Sequence, residues 1–386
     1  MKLLVAYLVS SSLFGTAFCA LDAWQQIFGQ AWSAYVVDNS TGTQSQLQVQ
    51  ANAWLPGNLT RYGNWTPAFG PVVYKANATS SDFTADNVWF GSFNPTLVYK
   101  DGTWPTYVVS IAGTELAPDD IFEDANVDWV VPLNDWAASG QIAHCWTPTQ
   151  NPIISNPYLS NGTACASSIV STVTSVLALK QPGVTLVKWL QVIIANANAA
   201  KAPIRIIFTG HSLGGGLAIS VSFILSQMKL IAPSSYVDIR VYPIAAPSVG
   251  NDAYNSIFSS TFKATNANSP PYSSWNLNVA HDQDIVPMAW CALGNGGTCL
   301  QGRNLDNMVF MYDAIQNGLA GFTTSFVAGL ILLSAPSNLN YGTSPINLVT
   351  GIAPNPSPTT SVEWLDAAWN EHVEGYCLLF FGTPTC

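Results

Sequence analysis

Charge is scarce in this sequence. Only 9% of its 386 residues are charged, with 12 lysines and arginines against 22 aspartates and glutamates. The net charge of −10 leaves no basic face to neutralise phosphates, which excludes a nucleic-acid partner and an anionic membrane surface. Histidine is rarer still: His144, His211, His281 and His372 are all there are. No H-E-x-x-H pair occurs, and the "EHVE" around His372 is too sparse for a metal site, so no metal is expected. No G-x-G-x-x-G and no P-loop appears, so no nucleotide or other cofactor is implied. Internal repeats and long linkers are also missing. Past the first 20 residues the most apolar run is "FVAGLILL", Phe326 to Leu333. That is far short of the about 20 residues that span a bilayer, so no stable membrane anchor is expected.

What is present is a large apolar fraction, 48% of the residues, enough for a sizeable core. The chain opens "MKLLVAYLVSSSLFGTAFCA": one lysine, an apolar stretch, then small residues. This pattern marks residues 1–20 as a secretory signal peptide, leaving 21–386 as a single domain in the extracellular space. Removing Cys19 leaves six cysteines: Cys145, Cys165, Cys291, Cys299, Cys377 and Cys386. An even number in a secreted chain implies disulfides. The simplest pairing is sequence-local, 145 with 165, 291 with 299 and 377 with 386. Five N-x-S/T sequons, at Asn39, Asn58, Asn64, Asn77 and Asn161, fit the same compartment as glycosylation candidates.

Periodicity sets the fold class. "TLVYKDGTWPTYVVSIAGT" reads as a hairpin about Asp101-Gly102. "TLVKWLQVIIANANAA" places Leu186, Trp189, Leu190, Ile193, Ile194 and Ala197 on one helical face. "PIRIIFTG" follows as a short buried strand. "LGGGLAISVSFILSQM" is a helix apolar nearly all round, hence buried on most sides. "DIRVYPIAAP" and "WNLNVA" are two further strands. Alternating strands and helices predict an α/β protein with a mostly parallel central sheet flanked by helices. "NSPPYSS" and "APNPSPTTS" read as loops. The run around Phe326 reads first as a core or cap helix, and in a sharper reading as a lipid-contacting or acyl-binding element.

At the junction of the third strand and its helix stands Gly210-His211-Ser212-Leu213-Gly214. A strand turning directly into a helix forces the residue at the turn into strained φ/ψ, and side chains two positions to either side would clash. G-x-S-x-G between strand and helix is the pattern that meets both constraints, with the serine projecting over a helix N-terminus that favours negative charge. Ser212 is therefore the candidate nucleophile. It needs a base, and the base needs an orienting acid; on this scaffold the order along the chain is serine, acid, histidine. That order excludes His144, and His211 is too close to reach its neighbour's hydroxyl. His281 would have to draw on Asp238, Asp252 or an acid out of order. His372 has a better partner in "VAHDQDIVP", whose Asp282 and Asp284 fall at the carboxyl end of a strand, where active sites sit. The reading adopted is Asp284 with His372.

The motifs together resemble the class 3 lipases, the filamentous-fungal triacylglycerol lipase family. "YVVSIAGTE", "IAHCW", "IIFTGHSLGGGLA", "VYPIAAPSVGN", "HDQDIVP" and the cysteine-terminated "EHVEGYCLLFFGTPTC" match that family in order, from Leu97 to Cys386. The resemblance implies an α/β-hydrolase fold with Ser212, Asp284 and His372 as triad. It implies an oxyanion hole from the Thr114 and Leu213 amides, aided by the Thr114 hydroxyl, and structural roles for His144 and His281. It also implies a lid in "ELAPDDIFEDANVDW", where on a helix Ile121, Phe122, Ala125 and Trp129 would share a face opposite the carboxylates. The chain departs from the family pattern at Ala112, Ala245 and Ser248, where arginine, glycine and arginine are usual. It departs again in the residue spacing after His372 and in the length of 285–371, which holds the apolar run as an insertion. The expected activity is a secreted triacylglycerol lipase working at lipid-water interfaces through an acyl-serine intermediate. Its alternatives are a feruloyl, sterol or other carboxylesterase on the same fold, and a non-catalytic lipid-binding protein.

Overall fold

The computed structural model describes residues 21–38, 40–82, 84–113, 126–143, 147–175, 183–266, 269–292, 298–300 and 304–386. Residues 1–20, read as a leader, Asn39, Thr114, His144, Cys145 and most of the segment read as a lid lie outside these residues.

Two helices open the described chain. Ala23–Trp32 (α1) and Gln44–Arg61 (α2) each start at a capping box, Asp22 with Gln25 and Thr43 with Gln46, which satisfies amide hydrogens the first turn leaves unpaired. Strands Thr66–Tyr74 (β1), Asn87–Tyr99 (β2) and Gly102–Ile111 (β3) then form an antiparallel meander. The hairpin read about Asp101-Gly102 is the β2–β3 turn: Tyr99 pairs with Gly102, whose φ of 125° suits a residue without Cβ.

From β3 the sheet becomes parallel. Ile204–His211 (β4) pairs with β3, Val237–Ile244 (β5) with β4, Asn278–His281 (β6) with β5, and Ile346–Val349 (β7) with β6, completing seven strands in the order β1 to β7. Between them run the helices Leu133–Ser139 (α3), Asn161–Thr172 (α4), Leu186–Ala200 (α5), Leu213–Gln227 (α6), Asp252–Thr261 (α7) and Ala320–Ser334 (α8). The long helix Ser361–Phe381 (α9) closes the fold; Thr360 and Glu363 cap its start and Gly382, at φ 72°, its end. The mostly parallel α/β architecture expected from the sequence is thus present. One part was not legible: β7 comes out of the stretch after Asp284 that reads as an insertion, so that stretch supplies the sheet's last strand as well as α8.

The pleat sends alternate residues of β4 into two cores. Ile206 and Phe208 join Trp189, Leu217 and Val221 beneath α4–α7. Ile207 joins Phe28, Leu55, Tyr242 and Phe380 under α1, α2 and the end of α9. All of Gly214 to Leu225 on α6 is buried, as its all-round apolarity requires. A third core, with Met288, Trp290, Met308, Leu330 and Trp364, lies in the segments that follow β6, with Val127 and Val130 joining it.

Disulfides join Cys291 to Cys299 and Cys377 to Cys386, two of the three sequence-local pairs. Cys165 lies on α4, and its expected partner Cys145 is outside the described residues. The lid segment is described only from Asn126. There Val127 to Trp129 form a bend into the short strand Val130–Pro132, so a helix across this segment does not extend to Trp129. The Trp129 carbonyl accepts from the Asn161 amide at 2.9 Å, and the chain runs on into the pairing of Val130–Pro132 with Tyr158–Ser160.

Candidate active site

Ser212 occupies the turn between β4 and α6 with φ 60° and ψ −132°, a conformation that costs an L-residue on the order of 1–3 kcal/mol. The neighbours impose it. The Ser212 amide donates to the Ile244 carbonyl at 3.0 Å, and the Ser212 carbonyl accepts from Gly215 at 2.9 Å. A Cβ on Gly210 would overlap the Gly214 carbonyl, and one on Gly214 would overlap the Ile111 carbonyl. The two glycines are therefore steric requirements of this turn. Leu213 is the first residue of α6, so its amide is among those a helix start leaves unpaired. Thr114, the other expected oxyanion donor, is outside the described residues. Gly113 before it is held by donating its amide hydrogen to the Tyr35 hydroxyl at 3.1 Å.

Asp284 follows β6 and is buried. Its carboxylate collects three donors. His372 Nδ1 lies 3.1 and 3.0 Å from its two oxygens, the Val286 amide donates at 2.9 Å, and the Tyr376 hydroxyl donates at 2.9 Å. An ionised carboxylate has no hydrogen to give, so His372 carries its hydrogen on Nδ1 and keeps the Nε2 lone pair. Burial works to raise the Asp284 carboxyl, but the facing His372 and these hydrogen bonds outweigh it and hold it below the ordinary carboxylate value. His372 Nε2 is buried and has no hydrogen-bond partner among the described residues.

Ser212 and His372 line one cavity of about 100 Å³. Apart from Ser160, Thr163 and Ser248, the remaining wall is apolar or aromatic, including Leu213, Ile285, Met308, Phe326, Leu330 and Trp369. Ser160 donates to Thr163 at 2.6 Å, while Ser248 Oγ is buried without a partner among the described residues.

The other described histidines have different work. His211 Nε2 donates to the His372 carbonyl at 2.8 Å, and its ring lies 4.6 Å from the His372 ring. Burial, and then the facing His372, push His211 down to about 3, so it stays neutral. His281 Nε2 donates to the Glu371 carbonyl at 2.6 Å, which fastens the turn of α9 just before His372. Burial lowers its pKa despite the nearby Asp284. Its place beside Ser212 set His211 aside as base, and chain order set His281 aside; neither argument revealed that the two hold the backbone at and just before the candidate base. Tyr35 and Tyr376 were missed altogether. Tyr35 reaches the site from far upstream, Tyr376 lies one turn beyond His372 on the same helix, and a tyrosine carries no local signature of such a role.

A parallel sheet with a serine at the strand-to-helix turn, an acid after a later strand and a histidine on a final helix defines an α/β-hydrolase. The lipase (class 3) family model matches residues 108–292, just under half of the chain, and supports a hydrolase of the lipase or esterase type. The matched segment contains Ser212 and Asp284 and ends before the helix carrying His372. Among solved structures, M37 lipase is 19% identical and superposes with a TM-score of 0.63 over 93% of this chain and 94% of its own. Lipases from Yarrowia lipolytica and Rhizopus microsporus var. chinensis are 14% and 18% identical, with TM-scores of 0.41 and 0.38. They cover 69% and 68% of this chain, and 73% and 67% of their own.

Proposed function

We propose that this protein is a secreted serine carboxylic-ester hydrolase, a triacylglycerol lipase that works at lipid-water interfaces. The observation that carries the reading is that Ser212, on its strained turn, and His372, paired to Asp284 and with its Nε2 lone pair unused, line one apolar cavity. In that arrangement His372 Nε2 takes the Ser212 proton as Oγ attacks the ester carbonyl. Asp284 stabilises the resulting imidazolium, and the Leu213 amide at the start of α6 binds the carbonyl oxygen as it becomes negative. Thr114 would supply the second oxyanion donor. Collapse of the tetrahedral intermediate expels the alcohol, which takes the proton from His372, and leaves an acyl-serine. Water then repeats the sequence to free the fatty acid. The apolar wall suits an acyl chain.

Secretion follows from reading residues 1–20 as a leader and from the two disulfides. Asn64 and Asn77 are exposed and Asn58 and Asn161 half-buried, as acceptors for glycans in that compartment.

The test is hydrolysis rate against concentration for tributyrin and trioctanoin through their solubility limits. A jump as droplets form supports the interfacial lipase. Smooth saturation below the limit, with no turnover of trioctanoin, means a carboxylesterase on this fold. Turnover of neither ester, nor of aromatic or sterol esters, leaves a non-catalytic lipid-binding protein and overturns the reading.

A further inference from the structure

The helix α8 has two unlike faces. Thr323, Val327, Leu330 and Ser334 are buried at helical spacing, so α8 lies along the body of the protein. The opposite stripe runs Gly321, Thr324, Ser325, Ala328, Gly329, Leu332 and Leu333, all exposed; Leu332 is 72% and Leu333 40% accessible. Together with its last turn, Ala320–Ser337 is the one span among the described residues apolar and long enough to cross a bilayer by composition, yet only 28% of it is buried. A core helix of this apolarity would be mostly covered.

Two further observations identify what covers it. A shallow groove along the exposed side, lined by Ser325, Gly329, Leu332 and Leu333, shares Phe326 and Leu330 with the wall of the catalytic cavity. Phe326 and Leu330 therefore stand between the exposed face and the cavity, so the two are neighbours across one layer of side chains. Phe322 and Phe326 also pack edge-on against Trp364 of α9, with ring centroids at 5.8 and 5.4 Å, which ties α8 to the helix carrying His372. The second observation is charge. No aspartate, glutamate, lysine, arginine or histidine stands between Asp313 and Glu363. Helices that bind anionic lipid carry lysine and arginine beside their apolar face. This one carries none, in a chain of net charge −10. Protein interfaces are enriched in Tyr, Trp and Arg, whereas this stripe holds only leucine and small residues.

We propose that the exposed stripe of α8, led by Leu332 and Leu333, is the surface on which the protein docks to an uncharged lipid surface, with the catalytic cavity opening beside it. The identity of that surface as the bulk substrate rests on the function proposed above; the docking itself does not.

The experiment uses the full chain in the S212A background, so that the lipid is not consumed. Partition onto trioctanoin droplets and phosphatidylcholine vesicles is measured by flotation, with and without L332S and L333S. Both leucines are largely exposed, so the fold is expected to persist, and an unchanged Tm checks it. The double change is expected to lower partition on the order of tenfold or more. With Ser212 intact, the same double change should leave hydrolysis of a dissolved short ester unaltered. Equal partition with and without the leucines overturns the proposal. So does tighter binding to phosphatidylserine than to phosphatidylcholine vesicles. A lipid-free dimer that the serines convert to monomer overturns it too, since the stripe would then be covered by a second copy. If the parent protein hydrolyses no ester yet partitions in a leucine-dependent way, the docking surface stands and the lipase reading falls.

Discussion

The Tyr376 hydroxyl donates to Asp284 Oδ2 at 2.9 Å, one helical turn after His372 donates to the same carboxylate from Nδ1. Two residues of α9, four apart and so on one face, hold the acid between them. The Tyr376 oxygen in turn accepts the His281 amide hydrogen at 3.3 Å, which ties the end of β6 to α9. Burial, and then the Asp284 charge, keep this phenol protonated far above ordinary pH, so it acts as a permanent donor. Y376F should lower kcat about three- to tenfold with KM nearly unchanged, because Asp284, having lost one of its three donors, orients His372 less firmly. Without that donor the carboxylate becomes more basic and stabilises the His372 imidazolium more strongly. The acid limb of the kcat/KM profile should therefore move to higher pH. A profile that stays in place while Tm falls would leave Tyr376 a packing role only.

The histidines separate in the same assay. S212A and H372A should each reduce kcat by a factor on the order of 10³ or more with folding intact. H281N should stay within about tenfold of the parent in kcat and lose stability instead, because its ring hydrogen bond to the Glu371 carbonyl is structural. The opposite result, an active H372A and an inactive H281N, would mean that His281 is the base and that Asp284 serves it.

One substitution, glycine to alanine, should act with opposite sign at two positions. At Gly214 the new methyl overlaps the Ile111 carbonyl, backbone that cannot yield without parting β3 from α6. G214A should cost on the order of 3 kcal/mol and displace the reactive serine. At Gly329, on the open side of α8, nothing lies within reach of a Cβ. G329A should there raise stability by about 0.5–1 kcal/mol through helix propensity alone. Urea midpoints of the two variants decide it, and a G214A protein as stable and active as the parent would refute the steric account of the turn.

Legibility from sequence followed the range of the constraint. Ser212 could be read because its steric requirements fall within two residues on either side and leave glycine as their mark. The helix Leu186–Ala200 could be read because one-sided burial imposes a period on neighbouring residues, and the strand Ile204–His211 because burial on both faces leaves a short unbroken apolar run. His372 required a rule of chain order, and nothing local tells the candidate acid Asp284 from Asp282 two residues before it. Tyr35 was invisible: it meets the Gly113 amide and His211 from a turn far upstream, and no pattern announces such a meeting. β7 escaped because a four-residue edge strand, with half-buried Ile346 and Asn347 and exposed Leu348, alternates too briefly to register. The segment read as a lid is not helical at its end, Val127 to Trp129, where the chain turns into the pairing of Val130–Pro132 with Tyr158–Ser160.

Glu371, beside the candidate base, links stability to pH. Burial, then the charges of Asp284, Asp282 and Glu374, push its carboxyl from the ordinary 4.5 up to about 7. Between those values the folded protein holds a proton that the unfolded chain has released, so stability falls as pH rises from about 4.5 to about 7 and is level above. His211 works in the other direction. The unfolded chain gains a proton near 6.5 that the folded one refuses until about 3, so stability is lost as pH falls through that window. Depression of Asp284 adds to the acid-side loss. E371Q removes only the first of these slopes. The carboxyl is partly open to solvent, so after screening the gain should be on the order of 1 kcal/mol at pH 8 and close to zero at pH 4.5, where glutamic acid and glutamine are both neutral. Urea midpoints of E371Q and parent at the two pH values measure it. An equal difference at both would show that the substitution acts through packing, and that no raised carboxyl stands beside His281.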